Sequence, residues 1–86
     1  MPKIPNWTPA AMKSDWTHDK KRHTVKIREA GRGLDGYEVY LKVAYTDRQA
    51  GESGTLKQEI GYSQTFDDAK KMAVDWMRDH PHSIRV

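Results

Sequence analysis

The chain has 86 residues, 36% hydrophobic and 31% charged, and 15 Lys+Arg against 12 Asp+Glu leave a formal net charge of +3. That length suits one small domain, which buries only about 60–65% of the surface its unfolded form exposes. No run approaches the roughly 20 apolar residues of a membrane span, and the absence of cysteine removes disulfides, thiolate zinc sites and cysteine nucleophiles. Three Trp, four Tyr and one Phe are enough to anchor a core. The N-terminus has no apolar signal-peptide core, so a cytoplasmic, reducing compartment is expected.

Residues 1–12 carry Pro2, Pro5 and Pro9. Each proline lacks a donor N–H and biases its predecessor toward extended geometry, so this stretch reads as a non-helical arm. Trp7 is the one residue in it able to pin the arm onto a core, or to serve as an exposed anchor for a partner. Residues 13–82 then form the domain, and 83–86 a C-terminal tail.

Trp16 and Thr17 admit a short extra strand turning through Asp19–Lys20. Val25 and Ile27 alternate with Lys26 and Arg28, the period-2 signature of a half-buried strand over Thr24–Glu29. The stretch Ala30–Gly36 (AGRGLDG) has the glycine density of a hairpin loop. Tyr37, Val39, Leu41 and Val43 then alternate with Glu38, Tyr40, Lys42 and Ala44 in a second, longer strand. Thr46–Gly54 is polar and reads as a long connection. A third strand, Thr55–Ile60, puts Leu56 and Ile60 on one face and Thr55, Lys57 and Glu59 on the other.

After Gly61 the period changes to 3.6. Phe66, Ala69, Ala73, Trp76 and Met77 form one helical stripe. Thr65 and Asp68 make an Asp-variant capping box, and His80-Pro81 supplies the stop. The expected fold is therefore α+β: a three-stranded antiparallel sheet, with room for a fourth strand, and one C-terminal amphipathic helix packed on one face.

Functional motifs are few. Gly31-Arg32-Gly33-Leu34-Asp35-Gly36 matches G-x-G-x-x-G, yet a dinucleotide site needs a helix after it and here a strand follows. His18, His23, His80 and His82 lack metal-site spacing and read as surface histidines, one of them capping the helix. No serine sits in a nucleophile setting, and no acid–base pair stands out, so no catalytic residues, metal or cofactors are expected. Charge is the remaining signal. Residues 1–43 hold nine cations and five anions, while 44–86 hold six and seven, so the excess sits on the first strands.

By alternation, the sheet face away from the helix displays Lys26, Arg28, Glu38, Tyr40, Lys42, Lys57 and Glu59, beside the Lys20-Lys21-Arg22 run. Cations with an interleaved tyrosine suit phosphate contacts plus base stacking. The expected function is a non-enzymatic DNA- or RNA-binding module. Lys20, Lys21, Arg22, Lys26, Arg28 and Lys42 would contact phosphates and Tyr40 would stack. The alternative is protein interaction or homodimerisation through the free sheet face, an edge strand or the Trp7 arm. Neither reading involves a membrane.

Two resemblances accompany these readings. Thr65–Trp76 (TFDDAKKMAVDW) resembles the helix of the plant ethylene-response-factor type of DNA-binding domain, with Phe66, Ala69, Met72, Ala73 and Trp76 at matching spacing. That resemblance implies a three-strand-plus-helix fold whose free sheet face enters the DNA major groove, with Lys26, Arg28, Tyr40 and Lys42 as readers. The opening MPKIPNW and the ending WMRDHP are similar to those of small proteins of salt-loving archaea that share a short arm, a few strands and a closing helix.

Overall fold

Five strands follow one another along the chain and sit side by side in that order, joined antiparallel throughout. They are β1 (Trp7–Pro9), β2 (Asp15–His18), β3 (His23–Glu29), β4 (Tyr37–Asp47) and β5 (Glu52–Ser63), and one helix, α1 (Phe66–Asp79), closes the chain. The computed structural model describes residues 4–10, 14–31, 33, 35–47 and 49–84. The ends of the expected arm, at 1–3 and 11–12, and the last two residues of the tail lie outside the described residues.

The sheet thus has two more strands than the three with clear alternation. β2 is the short extra strand at Trp16–Thr17, extended by a residue at each end. β1 was hidden by its proline-rich context. Pro9 has no N–H to give a ladder, but β1 lies at the sheet edge, where proline is tolerated. The expected arm therefore contributes a strand and two core side chains, Ile4 and Trp7.

Trp7 is 2% exposed, which removes it as a surface anchor for a partner. Its ring meets His18 edge-on at 4.9 Å and Trp76 at 6.1 Å, and its indole N–H donates to the His80 carbonyl at 3.1 Å. A buried indole needs such a partner for its polar end.

The core is the sheet face that the alternation predicts. Val25, Ile27, Val39, Leu41 and Val43 are buried against Ala69, Ala73 and Met77 of the helix. Small residues at 69 and 73 let the helix backbone approach the sheet closely. The Thr65 hydroxyl accepts from the Asp68 N–H at 3.2 Å, Asp67 and Asp68 occupy the first turn, and Arg78 the last. Both ends therefore complement the helix dipole.

Leu56 lies on the same sheet face but is 51% exposed: it sits on the edge strand opposite Val43, in the last row that β3 reaches, and beyond that row β4 and β5 run on as a two-stranded ribbon. That ribbon takes up most of the expected Thr46–Gly54 connection, leaving a tight turn in which Gly51 holds φ 69°. Polar residues on both faces gave it no readable alternation.

Among the described residues, no helix is long and apolar enough to cross a membrane. If the Trp7 strand is part of the cooperative core, Trp7→Ala should cost about 3–5 kcal/mol in urea unfolding. A loss under about 1 kcal/mol would mean that the strand is only draped on the fold.

Candidate nucleic-acid interface

The helix covers one face of the sheet, and among the described residues no element covers the other. Cross-strand register sets out that free face in rows. One row runs Asp15, Lys26, Tyr40, Glu59 from β2 to β5, and the next runs Thr17, Thr24, Lys42, Lys57. Where these rows cross β2, β3 and β4 the surface sinks into a shallow, open depression of about 410 Å³. Arg22, Lys26, Lys42, Asp15 and three threonines, Thr17, Thr24 and Thr55, line it.

Asp15 is the acid of this depression, and its charge is already matched. Arg28 grips it with two guanidinium nitrogens, Nη1 to Oδ1 at 2.7 Å and Nη2 to Oδ2 at 3.1 Å. Lys26 stands 3.8 Å away. Burial alone pushes the Asp15 carboxyl up, but the Arg28 hydrogen bond and charge, joined by Lys26 and Ser14, outweigh it and hold the carboxyl below its ordinary value. Arg28 Nη1 also donates to the Ser14 hydroxyl and to the Ile27 carbonyl, which locks the guanidinium in place. A forked pair of this kind is among the stronger hydrogen-bonded contacts available to a side chain.

The seven residues singled out by charge and alternation meet different fates. Arg22 and Lys42 are exposed at the depression, and among the described residues neither makes an ion pair. Lys20 is exposed in the turn between β2 and β3. Lys26 and Arg28 are on the face but engaged with Asp15. Tyr40 is on the face with the Lys57 ammonium 4.4 Å from its ring centroid, so a cation already lies over the ring. Lys21 points elsewhere: its ammonium donates to the carbonyls of His82 at 2.6 Å and Ile84 at 3.4 Å.

Three contributors escaped the charge reading. Asp15 and Thr17 could be placed only once β2 had a register against β3. Lys57 was expected on the face, but its place directly opposite Lys42 depends on the β4–β5 register. Its ammonium leans away from Lys42 to pair with Glu38 Oε1 at 3.1 Å. That pair is largely exposed and contributes at most about 1 kcal/mol.

The histidines correct the expectation of surface positions. His18 and His23 are 4% and 6% exposed. His18 Nε2 meets the Pro81 carbonyl at 2.9 Å while Nδ1 accepts from the Lys20 N–H at 3.1 Å, and since a carbonyl only accepts, Nε2 carries the proton. His23 Nδ1 meets the Ser83 hydroxyl at 2.6 Å. With Asn6 also donating to the Pro81 carbonyl, these side chains tie residues 80–84 to the first strands. His80 is the helix C-cap, as its spacing implies, and its ring stacks on Trp76 at 4.2 Å. Among the described residues, no group of three or more His, Asp or Glu side chains is arranged to hold a metal. The G-x-G-x-x-G match forms the β3–β4 loop, closed by the Ala30 N–H on the Gly36 carbonyl at 2.9 Å, and leads into a strand. Its residues 32 and 34 lie outside the described residues. Comparison with protein-family models, curated proteins and solved structures found no match.

Stability against pH should carry both buried groups. The folded state lowers the Asp15 pKa, so its contribution is complete at neutral pH and is lost as pH falls below the ordinary carboxylate range toward its folded value. Burial, aided by the charges of Lys21 and His18, lowers the pKa of His23 below 6.5, so its contribution is lost in a higher window, as pH falls through 6.5. Urea unfolding across acid to neutral pH should show Asp15→Asn flattening the lower limb and His23→Asn the upper. Asp15→Asn should also cost about 1–3 kcal/mol at neutral pH. Unchanged slopes in both variants would contradict these assignments.

Proposed function

We propose that this chain is a nucleic-acid-binding module that acts by contact rather than by catalysis, using the free face of its sheet. The observation that carries this reading is the placement of Lys42 directly opposite Lys57, in a row that holds no carboxylate. Lys57 turns from that position to Glu38, so among the described residues the charge of Lys42 is left unmatched along the row, which is poised to gain from an anion laid over it. Arg22 and Lys26 stand at the same depression, and its one acid is already held by Arg28. A phosphate backbone supplies closely spaced negative charge of the kind such a row attracts.

The roles divide accordingly. Among the described residues of this face, Arg22, Lys42 and Lys20 make no ion pair and are free to meet phosphates, with Lys26 and Lys57 flanking them. The hydroxyls of Thr17, Thr24 and Thr55 offer hydrogen bonds to phosphate or sugar oxygens. Arg28 acts as a positioning residue, since it holds Asp15 rather than the ligand. Tyr40 stacks a base only where the ligand displaces Lys57 from its ring. The contacts are to backbone chemistry, which predicts affinity with little base preference.

Fluorescence-anisotropy titration of short labelled duplexes and single strands tests this reading. Binding should weaken by orders of magnitude between low and moderate salt, through counterion release. Arg22→Glu with Lys42→Glu should abolish it. Lys71→Glu with Arg78→Glu, which changes the net charge equally on the helix, should leave most of it. Absence of binding at low salt, or equal loss in both double variants, would overturn the proposal.

A further inference from the structure

The two edges of the sheet are unlike. β1 is three residues long and ends in Pro9, a combination that discourages further pairing. β5 is twelve residues long, contains no proline, and has β4 as its one neighbour in the sheet. Among the described residues, no backbone hydrogen bond reaches its outer edge. Lysine often guards such an edge, but Lys57 is folded inward over Tyr40 to reach Glu38 on β4.

We propose that β5 pairs antiparallel with β5 of a second copy of this chain, through Leu56–Ile60, with Gln58 on the two-fold axis. The segment reads Leu-Lys-Gln-Glu-Ile, which is charge-complementary to itself when reversed. In that register Lys57 faces Glu59 of the second copy, and Glu59 faces its Lys57. Leu56 faces Ile60 at each end, and the two Gln58 side chains meet at the centre. Opposite charges and apolar pairs in direct cross-strand register are the units that stabilise a sheet.

The faces agree with this arrangement. Lys57 and Glu59 lie opposite Lys42 and Tyr40, on the free face, while Leu56 lies opposite Val43 and Ile60 packs toward the core, on the helix side. A two-fold axis perpendicular to the sheet keeps like faces together, so each pair meets on one side. Leu56, 51% exposed on the edge strand, becomes a contact surface. The irregularity between Val39 and Tyr40, which leaves Ile60 as the extra residue on β5, sets the end of the paired segment. Five residues a side make a small interface, of the size found in transient rather than permanent dimers.

Sedimentation equilibrium of the full chain, from about 10 µM to about 1 mM, reads the proposal directly, since interfaces of this size dissociate in that range. The wild type should move toward dimer as concentration rises. Lys57→Glu and Glu59→Lys should each weaken association at least tenfold, because each places like charges opposite one another at both ends. The double variant, with the charges exchanged, should recover it. Hydrogen exchange of the wild type supplies a second reading that needs no variant: amides of Leu56–Ile60 should gain protection with concentration, and those of β1 should not. A chain that stays monomeric, single variants that associate like the wild type, a double variant that stays dissociated, or protection independent of concentration would overturn it.

Discussion

One 14-residue helix has to cover a five-stranded sheet, and the rest of the molecule follows from that mismatch. The helix is about 21 Å long, which matches the roughly 19 Å width of five strands spaced about 4.8 Å apart. It is only about 10 Å thick, however, while β4 alone runs 11 residues, or about 37 Å. Laid across β3, β4 and β5, the helix can bury a band of one face and no more. The band is where Val25, Ile27, Val39, Leu41 and Val43 lie. Leu56 stays exposed at the band's edge, the β4–β5 ribbon extends beyond it with Tyr45 exposed, and among the described residues no element covers the opposite face.

A core this narrow leaves the ends of the chain to be fastened by other means. Trp7 enters from one side and Trp76 from the other, and hydrogen bonds from Asn6, Trp7, His18 and Lys21 reach the carbonyls of residues 80–84. These bonds give partners to carbonyl groups beyond the helix, where no regular ladder would pair them. They also account for the conversion of a basic-looking run into two kinds of residue. Lys21 turns to the chain end, while Arg22 turns to the free face. On that face the same division recurs: Arg28 is consumed by Asp15 and Lys57 turns to Glu38, whereas Lys42 makes no ion pair among the described residues.

Much of the fold is legible in the residues. The alternation in Val25–Ile27 and Tyr37–Val43 marks the two central strands, and the stripe from Phe66 to Met77 marks the helix with its Thr65 cap. β1 is not legible, because a three-residue strand has no period to read and its prolines signal the opposite. The outer ribbon is not legible either, since a strand that is polar on both sides looks like a loop. His18 and His23 illustrate a third limit: their partners, Pro81 and Ser83, lie about 60 residues away, and only the closed fold brings them together. For the candidate site, charge polarity pointed to the free face but could not separate free cations from paired ones. That separation depends on register, and for Lys26 and Arg28 on β2, whose first residue, Asp15, carries no sequence signal of its own.

The central claim is that the open face, and not the helix or the chain ends, is the surface that meets nucleic acid. The most direct test is an NMR titration of the backbone amides with a short unlabelled duplex at low salt. The account predicts that the shifts concentrate on Thr17, Arg22, Thr24, Lys26, Lys42 and Thr55, with Lys70 and Lys71 of the helix little changed. Shifts centred on the helix, or none at low salt, would contradict it.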